Sequence, residues 1–111
     1  MTQNIVKVIT TNELDGKLPV RCEVYNYAHM LILNSDGNLI IWDLLNWQIF
    51  KVINKNIFGK AISNFYIGVD SNEERFTIIS TVAGNLFSVD FLKSQANKKV
   101  LEGDNRVIDN Y

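Results

Sequence analysis

The sequence predicts an all-β fold built from short antiparallel strands. Runs of Val, Ile, Phe, Tyr and Trp recur along the chain, and these residues favour strands. Turn-forming stretches such as ELDG, NSDG, DSNEE and EGDN separate the runs. Because the connections are short, neighbouring strands are expected to pair as antiparallel hairpins.

Nine segments have strand character. In chain order they are 4–11, 20–25, 29–34, 38–45, 47–53, 61–69, 75–80, 85–92 and 99–101. The single proline, Pro19, stands at the entrance of the second segment, where its missing N–H removes no ladder hydrogen bond. The stretch 94–99 fits either a stub of helix or a longer hairpin loop.

Composition and charge narrow the function classes. The chain is 47% hydrophobic and 21% charged, as folded domains are. Its net charge is −1. Five basic and five acidic residues lie in the part through Lys55, and six basic and seven acidic residues lie beyond it. No part of the chain is therefore a basic arm that would favour nucleic-acid binding. One cysteine fits a reducing compartment, and neither a secretory signal nor a run of about 18 apolar residues is evident. We therefore expect an intracellular protein, cytoplasmic or nuclear, with no membrane partner.

A tripeptide recurs at a fixed spacing. Gly37-Asn38-Leu39 returns as Gly84-Asn85-Leu86, 47 residues later. The flanking residues keep the same register, since Asp43, Leu44 and Leu45 match Asp90, Phe91 and Leu92. A period of about 40–45 residues with four short strands per unit is typical of propeller blades.

Residues 20–53 resemble a WD40 repeat. A strand at 20–25 precedes a strand ending in NSDG, a third ending in IWDL and an outer strand, WQIFKVI. Residues 61–102 are similar but degenerate, with Val89-Asp90 in place of Trp-Asp. The resemblance implies a divergent, partial WD40-like β-propeller with antiparallel four-stranded blades.

One departure from the family concerns its polar residues. The family usually carries a Gly-His pair before each innermost strand, and this His joins a hydrogen-bonded set with a turn Asp, a Ser or Thr, and the Trp. The only histidine here, His29, starts a second strand instead. We therefore expect that polar set to be incomplete and the blades to depend on apolar packing.

The resemblance divides the chain into four parts. They are an N-terminal strand at 1–17 that could close the last blade, a first blade at 18–53, a second blade at 54–102 and the start of a further blade at 103–111. Propellers have about four to eight blades, and each repeat unit needs neighbours to cover its faces. We expect further blades of a longer chain, other copies or a partner protein to complete the assembly.

Six residues carry the blade motif, and we expect structural roles for them. They are Asp36, Gly37, Trp42, Asp43, Gly84 and Asp90. Trp42 should pack near a contact between blades, and Asp36-Gly37 should form a turn between two strands. Asp43 and Asp90 occupy equivalent places in two repeats, which explains both carboxylates without catalysis.

Three aromatic residues are candidates for partner binding. Trp47 follows the Trp-Asp pair in a turn, where an exposed indole could anchor another protein. Alternatively, it folds back over Leu45 or Phe50. Tyr25 and Tyr27 are the other two candidates.

No pattern predicts catalysis, a cofactor or a metal ion. His29 has no companion at ligand spacing, and Cys22 alternates with strand neighbours as a small buried residue would. The sequence contains no Gly-rich phosphate loop, GxSxG, HExxH or CxxC motif. We therefore expect a non-catalytic scaffold that binds other protein subunits in a complex.

The alternative function is RNA binding through aromatic and lysine residues on one propeller face. Lys93, Lys98 and Lys99 form a small basic cluster, although a solvated loop explains it as well. RNA binding would weaken steeply between low and moderate salt, and binding that is indifferent to salt would exclude it.

Overall fold

The computed structural model describes residues 7–92 and the strand at 97–101. In chain order the elements are a 3₁₀ helix at Thr11–Leu14, β1 at Pro19–Val24, β2 at His29–Asn34, β3 at Leu39–Asp43, β4 at Gln48–Ile53, a second 3₁₀ helix at Lys55–Ile57, β5 at Ile62–Val69, β6 at Arg75–Thr81, β7 at Leu86–Asp90 and β8 at Asn97–Leu101. Every strand pairs antiparallel with its neighbour in sequence within its sheet. The all-β prediction is confirmed.

The strands form two four-stranded sheets. Sheet 1 has the order β1-β2-β3-β4, and sheet 2 has the order β5-β6-β7-β8. β1 begins at Pro19, so the proline stands at a strand entrance as predicted. Residues 97–99 belong to a strand, so the helical alternative for this stretch is wrong where the structure describes it.

The predicted first strand differs from the structure. Residues 7–10 have no regular structure, and a 3₁₀ helix begins at Thr11. Within the described residues no strand pairs with this segment, and a strand without a partner has no hydrogen-bond ladder. Residues 4–6 of the prediction lie outside the described part, as does the segment 103–111 that we expect to start a further blade.

The sequence repeat corresponds to a structural repeat. In sheet 1 the Asn34 N–H donates to Asn38 O at 3.0 Å, and Gly37 N–H donates to Asn34 O at 3.1 Å. The turn of sheet 2 has the same two bonds, from Thr81 to Asn85 at 3.0 Å and from Gly84 to Thr81 at 2.9 Å. Both glycines have positive φ, 84° and 88°, which a three-residue hairpin loop requires at this position.

The main core lies between the two sheets. Alternate side chains of each strand point to opposite faces, so one set of sheet 1 faces sheet 2. The buried residues of this core are Tyr25, Leu31, Leu33, Leu39, Ile41, Ile53, Ile62, Phe65, Ile79, Phe87, Val89 and Phe91. The remaining face of each sheet, which we call its outer face, points away from the other sheet.

The two outer faces carry separate apolar clusters. On sheet 1, Ile32, Ile40 and Trp42 are buried beneath Leu14 of the first 3₁₀ helix. On sheet 2 the cluster is smaller and consists of Ile78 with the partly buried side chains of Phe76 and Leu86. No helix among the described residues is long and apolar enough to cross a membrane.

Thr77 provides a test of the core of sheet 2. Its hydroxyl is fully buried and has no hydrogen-bond partner among the described residues. Thr77→Val replaces this hydroxyl with a methyl group of similar shape, and we expect the free energy of unfolding to rise by about 1 kcal/mol because an unsatisfied buried group is removed. Urea unfolding measures the change, and a loss of stability would show that the hydroxyl is hydrogen-bonded.

Candidate interaction surface

The Gly37 turn joins the two sheets. The Ile62 N–H, at the start of β5, donates to Gly37 O at 2.9 Å. A Cβ atom at Gly37 would lie 2.6 Å from the Cβ atom of Ala61. Glycine at position 37 allows this approach, so the turn is a docking point between sheets.

The neighbours of Gly37 hold the linker between the sheets. The Asn38 side chain accepts a hydrogen bond from the Lys55 N–H at 2.7 Å, at the first residue of the second 3₁₀ helix. The Lys55 ammonium lies 3.2 Å from the Asp36 carboxylate and donates to Asp36 O at 3.1 Å. Asp36 and Gly37 therefore form the predicted turn and also fix the path of the chain into sheet 2.

The equivalent turn of sheet 2 has no such neighbours. No described atom lies within 4 Å of a Cβ built at Gly84. Asn85 is exposed, whereas its counterpart Asn38 is buried. The Gly84 turn thus repeats the geometry of a docking point without a docked strand among the described residues.

Trp42 is buried on the outer face of sheet 1, only 1% exposed. Its ring meets that of Trp47 edge to face, with 5.6 Å between the centroids. Its Nε1 has no hydrogen-bond partner in the described part of the chain.

Trp47 is half-buried rather than an exposed anchor. Its Nε1 donates to Val8 O at 3.2 Å, and the Lys7 ammonium lies 5.3 Å from the ring centroid. The ring packs in the Trp42 cluster, and not over Leu45 or Phe50 as the alternative proposed. Both expectations missed this contact because it is made by a segment 39 residues away in the sequence.

The two tyrosines differ sharply. Tyr25 is only 6% exposed, and its hydroxyl donates to Arg75 O at 2.7 Å. Its ring also packs edge to face on Phe91, so Tyr25 is engaged within its own chain and its partner-binding role stays a prediction. Tyr27 is 84% exposed in the β1–β2 hairpin and remains a candidate contact.

The prediction that Cys22 is buried is wrong. Cys22 is an exposed free cysteine, because β1 is an edge strand and the thiol lies on its outer face. It lines an apolar groove of about 150 Å³ with Leu14, Pro19 and Met30, among others. Among the described residues that line this groove, none is charged.

His29 contributes to packing and to a local hydrogen bond. Its Nδ1 lies 3.0 Å from the Asn26 side-chain oxygen, and its ring meets that of Phe50 at 4.8 Å between centroids. In the described part of the chain, no group of three His, Cys, Asp or Glu side chains could hold a metal ion.

Asp43 and Asp90 close equivalent turns. The Asp43 carboxylate accepts from the N–H groups of Leu45 at 2.9 Å and Asn46 at 3.1 Å. Asp90 accepts from Leu92 N–H at 3.1 Å in the same way. Each aspartate thus ends the third strand of its sheet.

The Asn46 side chain lowers the pKa of the Asp43 carboxyl. Its amide donates to the second carboxylate oxygen at 2.8 Å, and its backbone N–H adds to the effect. Because the pKa in the folded state is depressed, the stability that Asp43 contributes is present at neutral pH and is lost as the pH falls through that pKa.

An NMR titration of Asp43 tests this cause. In the wild type we expect its pKa below the ordinary value for aspartate, and Asn46→Ala should raise it because the charged form loses a donor. Asn72→Ala, in the β5–β6 hairpin, is the matched control and should leave it unchanged. Equal titration of Asp43 in all three proteins would contradict the assignment.

The segment before β1 repeats the segment before β5. Residues 5–9 read IVKVI and residues 49–53 read IFKVI. Thr10 and Asn54 then occupy the N-cap positions of the two 3₁₀ helices. Gly16 and Gly59 follow with positive φ, 72° and 76°. The pentapeptide match could have revealed this further repeat from the sequence.

A polar cleft lies between the ends of the two sheets. It has a volume of about 200 Å³, and its lining includes Tyr25, Glu74, Arg75, Ser88 and Asp90. In this cleft the Tyr25 hydroxyl donates to Arg75 O at 2.7 Å, and the Asp90 carboxylate accepts from Leu92 N–H at 3.1 Å.

No family model, curated protein or solved structure matches the chain. We therefore interpret the surface of sheet 2 by comparing it with the equivalent surface of sheet 1, using the internal repeat as the template. By that template, the Gly84 turn and the outer face of sheet 2 are the candidate interaction surface.

Proposed function

We propose that the chain is a segment of a WD40-like β-propeller that acts as a non-catalytic scaffold between protein subunits. The main support is the Gly84 turn, which reproduces the docking geometry of Gly37 and has no docked neighbour among the described residues. Stacked repeats bury their apolar faces against adjacent repeats. A chain with such a turn at its second sheet is suited to receive a further sheet.

Exposed apolar residues on sheet 1 support the same function. Val20 and Val24 on β1 and Ile49 and Val52 on β4 are all exposed. They flank the buried Trp42 on both edges of the outer face. Grouped apolar exposure of this kind is typical of protein–protein interaction sites.

Three of the described cations are held by groups of their own chain, which favours protein partners over RNA. Arg21 is engaged with Asn64 and Glu23. Lys51 donates to Phe91 O at 2.9 Å, and Lys55 pairs with Asp36. Cations held by their own chain contribute little to phosphate binding.

Light scattering, circular dichroism and binding of the dye ANS to one purified sample test the scaffold function. We expect a β-rich spectrum together with ANS fluorescence, because apolar side chains on the outer face of sheet 1, such as Val24 and Ile49, are exposed. A compact, cooperatively folded monomer that binds no ANS would contradict the proposal, since such a chain needs no further sheet.

A further inference from the structure

The outer face of sheet 2 is equivalent to the face that sheet 1 presents to sheet 2. Strand pairing establishes this, because Leu31 pairs with Ile41 and Ile78 pairs with Ser88 at the same register. By the same shift of 47, the residues Leu31, Leu33, Leu39 and Ile41 correspond to Ile78, Ser80, Leu86 and Ser88. The contact between the sheets therefore shows how a further sheet would cover this face.

That contact sets two requirements on the first strand of an incoming sheet. The residue opposite the turn glycine must be small, as Ala61 is opposite Gly37. The next residue must carry an N–H, because Ile62 donates to Gly37 O at 2.9 Å. A larger residue would clash with the turn, and a missing donor would leave the carbonyl unpaired.

Sheet 1 of a second copy fails both requirements. Leu18 and Pro19 stand where sheet 2 has Ala61 and Ile62. Leu18 O accepts from Ser35 N–H at 2.8 Å, just as Ala61 O accepts from Val82 N–H at 3.0 Å. Leucine is larger than alanine, and proline has no N–H to donate.

We propose that the Gly84 turn and the outer face of sheet 2 bind the first strand of a different β-sheet, and that Leu18 and Pro19 exclude a second copy from this position. The partner is a sheet whose first strand starts with a small residue followed by one with an N–H. This inference rests on the proposed scaffold function and adds a direction to it. Sheet 2 is the accepting end, and its occupant is not sheet 1 of another copy.

The test gives the first strand of sheet 1 the two residues that the accepting turn requires, so that one copy can bind another. Leu18→Ala with Pro19→Ile copies the Ala61-Ile62 pair onto sheet 1. We expect this double variant to self-associate at least tenfold more tightly than the wild type, measured by sedimentation over a concentration series. Adding Ser80→Lys, which places a charge on the outer face of sheet 2, should reverse the gain.

Several outcomes separate the alternatives. Ser80→Lys in the wild-type background should leave the mass distribution unchanged; if it abolishes association of the wild type, a second copy is a natural occupant and the proposal is wrong. A double variant that is folded by circular dichroism but associates no more tightly than the wild type also overturns it. If the double variant does not fold, Leu18→Ala with Pro19→Ala also meets both requirements at an edge strand, and the same shift in mass is expected.

The two proposals fail in different ways. A wild-type monomer that binds no ANS contradicts the scaffold function itself. Wild-type association that Ser80→Lys abolishes leaves the scaffold function in place and overturns only the exclusion of a second copy.

Discussion

Gly37→Ala is expected to lower the free energy of unfolding by about 2–5 kcal/mol, one of the largest effects of a single methyl group in this chain. Two costs add. A left-handed backbone, here with φ of 84°, costs a non-glycine residue about 1–2 kcal/mol. The new methyl group would also lie 2.6 Å from the Cβ atom of Ala61, and overpacking of this kind costs about 1–3 kcal/mol.

Gly84→Ala is the matched control. Its backbone has nearly the same φ, 88°, but no described atom lies within 4 Å of the added methyl group. Only the backbone cost of about 1–2 kcal/mol should remain. Urea unfolding measures the free energy of unfolding of both variants. The difference between the two losses gives the contribution of the contact between the sheets. Equal losses would mean that the Gly37 turn does not dock on β5.

The strands were predictable because their signals are local. Alternating β-branched and aromatic residues indicated strands, and Asp36-Gly37 indicated the turn between two of them. The recurrence of Gly-Asn-Leu predicted a structural repeat, and both glycines have the same backbone conformation. Because these features depend on a few neighbouring residues, one sequence suffices to find them.

Side-chain environments were less predictable because they depend on tertiary contacts. Tyr25 lies at a hairpin, where exposure is usual, but sheet 2 covers it and Arg75 O accepts its hydroxyl. Cys22 alternates with its strand neighbours Arg21 and Glu23, as a buried residue would, but its strand is at an edge. Trp47 follows a turn, but the segment around Val8 packs on it. Sequence periodicity identifies which residues share a face, but it does not identify what covers that face.

The candidate interaction surface was predictable only in part. The sequence indicated that Gly84 is a turn residue, since it repeats Gly37. The docking role of that turn became visible only when Ala61 and Ile62 were found against Gly37. The contrast with Leu18 and Pro19 then follows from aligning the strand entrances by their hydrogen bonds. The Gly-Lys pairs at 16–17 and 59–60, which directly precede the two entrances, could have given the same alignment from the sequence.

Trp42→Ala is expected to lower the free energy of unfolding by about 3–5 kcal/mol, because it leaves a cavity among Leu14, Ile32 and Ile40. Trp42→Phe should lower the free energy of unfolding far less, by about 1 kcal/mol or below. The phenyl ring retains much of the apolar contact of the indole. Replacing Trp42 by phenylalanine also removes a buried N–H that has no partner among the described residues. Burial of such an unpaired group costs about 1–3 kcal/mol.

The comparison of these two variants separates packing from hydrogen bonding at the Trp-Asp position. If the indole N–H were bonded, phenylalanine would forfeit that bond, and Trp42→Phe would itself lower the free energy of unfolding by about 1–3 kcal/mol. A small loss for Trp42→Phe beside a large loss for Trp42→Ala would show that Trp42 stabilises sheet 1 by apolar packing and not by a hydrogen bond of its indole. Urea unfolding monitored by circular dichroism measures both, because the signal does not depend on the indole that is replaced.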